Sequence, residues 1–318
     1  MLLLLACSDA DNEGDEASSL HSIEFTTQLD TRAGRTYVSG ADFVRTSRIG
    51  VFAYYTGASA FDGTTIPNFM YNQAVEKQSV SALLLWAYSP VKYWPNQDGD
   101  KLTFCAYYPH DGTGIGMTSN TTAGLPRFTF QVQEASRDEV DFMLSDVRTD
   151  LMHINGETVS SVSSTVLLTF HHALSKVVVK VVDADDNELP FTATLSDMYD
   201  NGECYSTTSE PVNWENVAKT SPAITFTTSG ATSANERIFL MIPQGLREAG
   251  DDPCLRLFYE FEGGYYQSGA IHLNTIDAIT TWEPGKTYLY TYHVTHAGND
   301  LSVSVNPWYQ AGMVFNNY

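Results

Sequence analysis

Cys7 is the residue whose chemistry is easiest to specify. It follows Leu4, Leu5 and Ala6 and precedes Ser8. A thiol in this setting can carry a diacylglycerol thioether, and a small side chain before it suits the peptidase that cuts there. Leu4-Leu5-Ala6-Cys7 therefore reads as a lipobox. Secretory leaders ordinarily carry a basic start and an apolar stretch of about 7–15 residues. Here the basic start is missing and the apolar run is short, so the segment is expected to be the remnant of a longer leader, shortened by a start codon placed too late or by trimming; the alternative is a chance apolar start with a buried cysteine. Asp9, Asp11, Glu13, Asp15 and Glu16 follow among Gly and Ser. Such a stretch cannot bury a core and is expected to be a solvated tether.

Other chemistry-bearing residues point to no reaction. His171 and His172 are adjacent, and neighbours on a strand face opposite sides, so they cannot readily chelate one ion. One is expected to pack at a domain edge and the other to be solvated. Asp185-Asp186 and Asp251-Asp252 sit in hydrophilic turns. The sequence holds no Gly-rich phosphate loop, no nucleophile elbow and no helical metal pair. An enzyme is not expected, and neither a cofactor nor a metal is implied. Besides Cys7 the cysteines are Cys105, Cys204 and Cys254. Three remaining thiols make no complete disulfide framework, although one Cys204–Cys254 bridge is compatible with the count.

Aromatic residues cluster at Trp86, Tyr88, Tyr93, Trp94, Tyr107 and Tyr108. Exposed, they would make a platform for sugar rings, with Trp86 and Trp94 as the binding residues. Strands are rich in aromatics in any case, so the same cluster also reads as core. The formal charge of −21, from 17 Lys and Arg against 38 Asp and Glu, argues against nucleic acid, whose binding needs cations to neutralise phosphate.

The elements that must position these residues are strands. Ile23, Phe25 and Leu29 alternate with Glu24, Thr26 and Gln28, with Thr27 on the apolar side, which is the period of a half-buried strand. Residues 48–55, 101–108, 127–133, 165–170, 177–182, 237–242, 255–261, 265–273 and 287–295 read likewise. Gly263-Gly264 between two such runs signals a hairpin. Leu301, Val303 and Val305 alternate near the C-terminal end, with Trp308 beyond them. Many short strands with turn residues between them imply an all-β protein built of β-sandwiches. With 318 residues, 43% of them hydrophobic, two domains are expected. The expected division is a leader remnant and tether over 1–19, one β-sandwich over 20–162 and a second over 163–318, with the boundary near the Ser-rich stretch 160–164. No further apolar run reaches the roughly 20 residues needed to span a bilayer.

The order of several motifs resembles the fimbrillin-like proteins of type V pili. They are the lipobox with its acidic tether, Thr31-Arg32-Ala33 after the first strand, Arg48-Ile49-Gly50-Val51-Phe52-Ala53-Tyr54 and Tyr93-Trp94-Pro95. Further matches are Leu102-Thr103-Phe104-Cys105-Ala106-Tyr107-Tyr108-Pro109, Asp141-Phe142-Met143-Leu144-Ser145-Asp146, Leu168-Thr169-Phe170-His171-His172-Ala173-Leu174-Ser175-Lys176-Val177 and Met241-Ile242-Pro243-Gln244. Trp282-Glu283-Pro284-Gly285-Lys286-Thr287-Tyr288 and Val303-Ser304-Val305-Asn306-Pro307-Trp308 complete the set. Each is weak alone, and together they span nearly the whole chain.

The resemblance implies two tandem transthyretin-like β-sandwiches with Greek-key type connections. It implies export as a lipoprotein held in the outer membrane through Cys7, and an acidic stretch after the lipid cysteine resembles a signal for the outer leaflet. It also implies a cut after an arginine, for which Arg32 and Arg35 are the candidates, Arg32 the better match. The first strand (Ile23, Phe25, Leu29) would then leave, and a neighbouring subunit's strand would fill its groove. Leu301, Val303, Val305 and Trp308 are the candidate donor residues. The partners implied are other pilin subunits and an unnamed host or bacterial surface receptor, with cell adhesion as the outcome. The alternative is a monomeric surface lipoprotein that binds glycans through Trp86 and Trp94.

Overall fold

A computed structural model of the chain describes residues 21–30, 38–39, 47–80, 83–132, 140–153, 165–219, 225–228, 236–248 and 252–308. Nearly every element is a strand, as the alternation predicts. Helix among the described residues is one 3₁₀ turn, Leu273–Thr275. The first half contributes β1 (Glu24–Leu29), β2 (Val38–Ser39), β3 (Arg48–Gly57), β4 (Met70–Val80), β5 (Leu83–Ala87), β6 (Lys101–Tyr108), β7 (Ile115–Met117), β8 (Arg127–Gln131), β9 (Met143–Ser145), β10 (Arg148–Leu151) and β11 (Thr165–His172). The second adds β12 (Ser175–Val182), β13 (Phe191–Ser196), β14 (Asn201–Tyr205), β15 (Asn213–Ala218), β16 (Thr225–Thr228), β17 (Glu236–Met241) and β18 (Gln244–Gly245). It continues with β19 (Cys254–Phe261), β20 (Gly264–Gln267), β21 (Ile271–His272), β22 (Thr281–Trp282), β23 (Lys286–His293) and β24 (Asp300–Pro307).

A nine-stranded sheet runs in the order β2-β1-β11-β9-β6-β3-β4-β5, with β10 beside β6. Its central strands are apolar on both faces, as strands covered from two sides must be. Ile49, Val51 and Ala53 of β3 share one face with Leu102, Phe104 and Ala106 of β6. Phe52, Tyr54, Cys105 and Tyr107 face the other way. The sheet curls so that β5 returns against β1 across the first of these interiors. On the opposite face, Phe128 of β8 packs 4.8 Å from Tyr107 and 6.1 Å from Phe52, centroid to centroid.

In the second half the sheet β17-β12-β23-β24 faces the sheet β16-β13-β19-β20. The Val-rich β12 lies between β17 and β23, and the inward tyrosines of β23 are Tyr288, Tyr290 and Tyr292. Buried aromatic polar atoms need partners, and the Trp282 indole N–H finds one in the Tyr290 hydroxyl at 3.0 Å. The hairpin signalled by Gly263-Gly264 is present between β19 and β20. Glu262 and Gly263 both have positive φ, 49° and 76°, the backbone that a two-residue hairpin loop requires.

Two pairings cross the middle of the chain. Thr165–His172, read from sequence as the opening of the second half, is hydrogen-bonded into the first sheet, parallel to β1 and antiparallel to β9. The chain passes to the second-half sheets after Ala173-Leu174. In addition β14 pairs with β8, so one four-stranded sheet, β15-β14-β8-β7, draws strands from both halves. One cluster of buried side chains accordingly runs from Phe52 and Tyr107 to Val177, Val179 and Tyr290.

One pairing that the cysteine count allowed is not made. Cys204 and Cys254 are free and buried, on strands of different sheets, so no bridge joins them.

Candidate functional site

The most unusual arrangement concerns β1. Its inward residues follow the alternation read from sequence: Ile23, Phe25 and Leu29 are 1%, 5% and 2% exposed, and Thr27 is buried beside them. The Phe25 ring lies edge-on to Phe104 and Tyr88, with centroids 6.0 and 5.5 Å apart. Val166, Leu168 and Phe170 of β11 complete that wall of the interior. The outward residues Glu24 and Thr26 are exposed.

β1 is held by main-chain and side-chain bonds on opposite flanks. Toward β11 it makes a parallel ladder from Glu24↔Thr165 to Leu29↔Phe170, extended by the Asp30 N–H to the Phe170 carbonyl at 2.8 Å. Toward β5 and the segment after it, the bonds are fewer. The Ile23 N–H donates to the Lys92 carbonyl and the Trp94 N–H to the His21 carbonyl. The Tyr88 hydroxyl donates to the Ile23 carbonyl at 2.9 Å, and the Trp86 indole N–H to Thr27 Oγ1 at 3.1 Å. The seat of β1 is thus a groove between β11 and the β5 side of the same sheet. It is lined with apolar pockets for alternate residues and with main-chain groups along β11. An extended segment in such a groove is bound by the rules of strand addition.

Arg32, Arg35 and Cys7 lie outside the described residues. β24 is an edge strand that pairs with β23 over its full length. Leu301 and Val303 are half-buried against the core, whereas Val305 is 44% exposed. Trp308 is buried and lies flat on His172, with centroids 4.0 Å apart and planes 5° apart.

Neither histidine of the His171-His172 pair is solvated, contrary to the sequence expectation for one of them. His171 Nε2 is 2.7 Å from Asp146 Oδ1 and His172 Nδ1 is 2.8 Å from Asp141 Oδ1. The strand alternation placed the two rings on opposite faces correctly. What it missed was the supply of carboxylates by Asp141 and Asp146, although both lie in the same Asp141–Asp146 motif.

The aromatic platform is not assembled. Trp94 is 5% exposed, edge-on to Phe104 and stacked with His153, so its ring offers no face to a sugar. Trp86 is half-buried, with Lys77 Nζ 5.9 Å from its ring and its N–H given to Thr27. Of that cluster Tyr93 is exposed, and the other exposed aromatics among the described residues are Tyr55 and, on the β19–β20 hairpin, Tyr265, Tyr266 and Phe258. A cleft of about 390 Å³ lies among Phe61, Asp62, Leu125, Arg127, Tyr205 and Thr207. Its charges are answered internally. Arg127 covers the Tyr205 ring at 4.1 Å and pairs with Glu203 and Glu215, while Asp62 accepts from the Thr64 N–H and hydroxyl. Among the described residues, no three His, Cys, Asp or Glu converge as a metal site.

Comparison with known proteins adds the following. Residues 31–308 match the family described as fimbrillin-like. A fimbrium subunit of Phocaeicola vulgatus, Fim1C, is 30% identical over 177 residues, which cover 52% of this chain and 44% of that protein. The chain thus spans less than half the length of the curated relative it matches. A solved fimbrial protein of Bacteroides vulgatus superposes with a TM-score of 0.60 at 17% identity, over 91% of this chain and 99% of that one. A solved protein of Bacteroides ovatus does so with a TM-score of 0.58 at 15% identity, over 92% and 99%. At these identities the likeness is one of fold.

Proposed function

The chain belongs to the fimbrillin-like family, and from that premise we propose that it is a structural or accessory subunit of a cell-surface pilus, assembled by strand exchange. In this reading the precursor is held at the outer membrane by a lipid on Cys7. A cut after Arg32 or Arg35 separates β1 from the rest of the chain and releases anchor and strand together. A strand of a neighbouring subunit, with Leu301, Val303, Val305 and Trp308 as the donor residues, then occupies the vacated groove. The filament so formed supports adhesion to a surface receptor.

The observation that carries this reading is the seat of β1. An N-terminal strand fills a core groove with alternate side chains and pairs along β11 through backbone groups that any extended chain supplies. The family and the fimbrium subunit of Phocaeicola vulgatus add support. The position of β24 at a sheet edge, with outward residues largely exposed, supports its use as a donor, since an edge strand gives up one ladder rather than two.

The test is arginine-specific proteolysis of the purified chain. Cleavage after Arg32 or Arg35 is expected to yield SDS-resistant ladders on gels and filaments by microscopy. A cleaved chain that stays monomeric after β1 has left overturns strand exchange. Palmitate labelling that persists in Cys7→Ser overturns the anchor.

A further inference from the structure

His171 and His172 touch the two terminal strands of the described chain. His171 Nδ1 lies 3.0 Å from Asp30 Oδ2, at the end of β1, while its Nε2 faces Asp146. His172, on the other side of β11, carries Trp308 at the end of β24. Its Nε2 is buried without a hydrogen-bond partner. The described contacts that orient the ring are therefore Asp141 and the indole face. The backbone closes the same junction. The Asp30 N–H donates to the Phe170 carbonyl, the Gly285 N–H to the Leu174 carbonyl, and the Trp308 N–H to the Gly285 carbonyl, at 2.8, 2.9 and 2.9 Å.

We propose that His171 and His172 form a latch through which β1, while seated, keeps the C-terminal strand docked on its own subunit. The inference rests on the reading that β1 is removable, and it adds an order of events to that reading. The physical reason is the ladder of β11. It pairs with β1 along Glu24–Leu29 and with β9 only at Phe170, His171 and His172. When β1 leaves, β11 loses the longer of its two ladders, His171 loses one carboxylate and the Phe170 carbonyl loses its donor. The segment that positions the His172 ring is then left with its three-residue pairing to β9 and the flanking bonds from the Asp146 N–H to the Thr169 carbonyl and from the Ala173 N–H to the Phe142 carbonyl. Trp308 loses a fixed platform, and β24 frays from β23. The precursor thus holds its donor strand at home until its own groove opens. This is coupling through one element with two arrangements, β11 with and without its parallel partner.

The experiment is amide exchange of residues 300–307, read by mass spectrometry on the full chain before and after the arginine cut. Exchange is expected to speed by about tenfold after β1 departs, within the roughly 5- to 150-fold span of coupled sites. Trp308→Ala is expected to exchange fast in both states, so that the cut adds nothing. Trp308→Phe, which keeps an aromatic face, is expected to restore the difference. A role for Trp308 in general stability alone would slow or speed both states together and leave their ratio unchanged, which overturns the latch. Equal exchange before and after the cut, with β1 shown to have left, also overturns it. If the cut chain keeps β1 bound, strand removal fails, and the latch is then judged in the uncut chain. There Asp30→Ala is expected to speed exchange at 300–307 several-fold, and no change overturns the latch.

Discussion

The Trp86 indole N–H donates to Thr27 Oγ1 at 3.1 Å, and this bond joins β1 to β5 across the curl of the nine-stranded sheet. Thr27 is buried on β1, one strand in from the β2 edge, and Trp86 lies on β5 at the other edge of the sheet order. Thr27→Val keeps the volume of the side chain and removes the acceptor. The expected loss is about 0.5–1.5 kcal/mol, the net worth of one such hydrogen bond. Urea denaturation checks it through a lower midpoint at unchanged slope. If Trp86 fluorescence reports a transition before the global one, the loss is confined to the seating of β1. An unchanged midpoint would mean that the seam is held by packing alone.

Gly50 on β3 has no space for a side chain. A Cβ there would lie 2.1 Å from the Tyr107 ring and 2.6 Å from Asn72 Oδ1. The Tyr107 hydroxyl donates to that same Asn72 oxygen at 2.9 Å, so neither neighbour can move without breaking the bond between them. Gly50→Ala is expected to destabilise by about 1–3 kcal/mol, the usual penalty of overpacking a core. Calorimetry measures it directly. The double variant Gly50→Ala with Tyr107→Leu is expected to recover part of the loss by making room.

Much of this geometry is legible in the sequence, and the exceptions share a cause. Period-2 patterning gives the inward set Ile23, Phe25 and Leu29, the central strands β3 and β6, and the hairpin at Gly263-Gly264, because side-chain alternation is a local property. It cannot give partners. That β1 lies parallel to β11, pairing Glu24 with Thr165, or that β8 pairs with β14 across the middle of the chain, depends on contacts between residues far apart in sequence. The sequence division at the Ser-rich stretch was drawn from composition, which does not register such pairings. Trp94 shows the same limit in a side chain. Its neighbours Tyr93 and Pro95 suit a surface loop, and only the closing of the sheet puts the indole against Phe104. The His171-His172 pair is visible in the sequence, but its contacts with Asp30 and Trp308, which approach it from opposite ends of the chain, are not.

The thiols offer a test of the core that requires no substitution there. Burial pushes the Cys105 and Cys204 thiols well above their ordinary range, and Cys254 is buried as well. Only the thiolate reacts with disulfide reagents. With Cys7→Ser to remove the N-terminal thiol, the native protein is expected to be inert to Ellman's reagent at pH 8 for hours, and three thiols should appear in denaturant. Rapid labelling of one thiol in the native state would place that cysteine at a point of local opening. A count below three after denaturation would reveal a bridge that the structure lacks.

The N-terminal end of β1 carries its own pH dependence. His153 stacks on Trp94, and its ring centroid is 4.4 Å from that of His21, just before β1. Burial, and secondarily the neighbouring His21, lower the pKa of His153 from its ordinary value. A histidine depressed in the folded state binds fewer protons there than in the unfolded chain once the pH falls to about 6.5 or below. Stability therefore rises with pH across that window. The contribution is fully present above about pH 6.5 and is lost as the pH falls toward the lower folded value. Protonation of His153 would also place a charge against the His21 ring, where the Trp94 N–H meets the His21 carbonyl. Amide exchange of residues 23–29 is expected to quicken between pH 7.5 and pH 5.5 in the wild type. His153→Gln, which cannot gain the charge, is expected to show a smaller change. Other groups titrate over the same range, so the comparison rests on the difference between the two proteins. Identical pH profiles would separate His153 from the seating of β1.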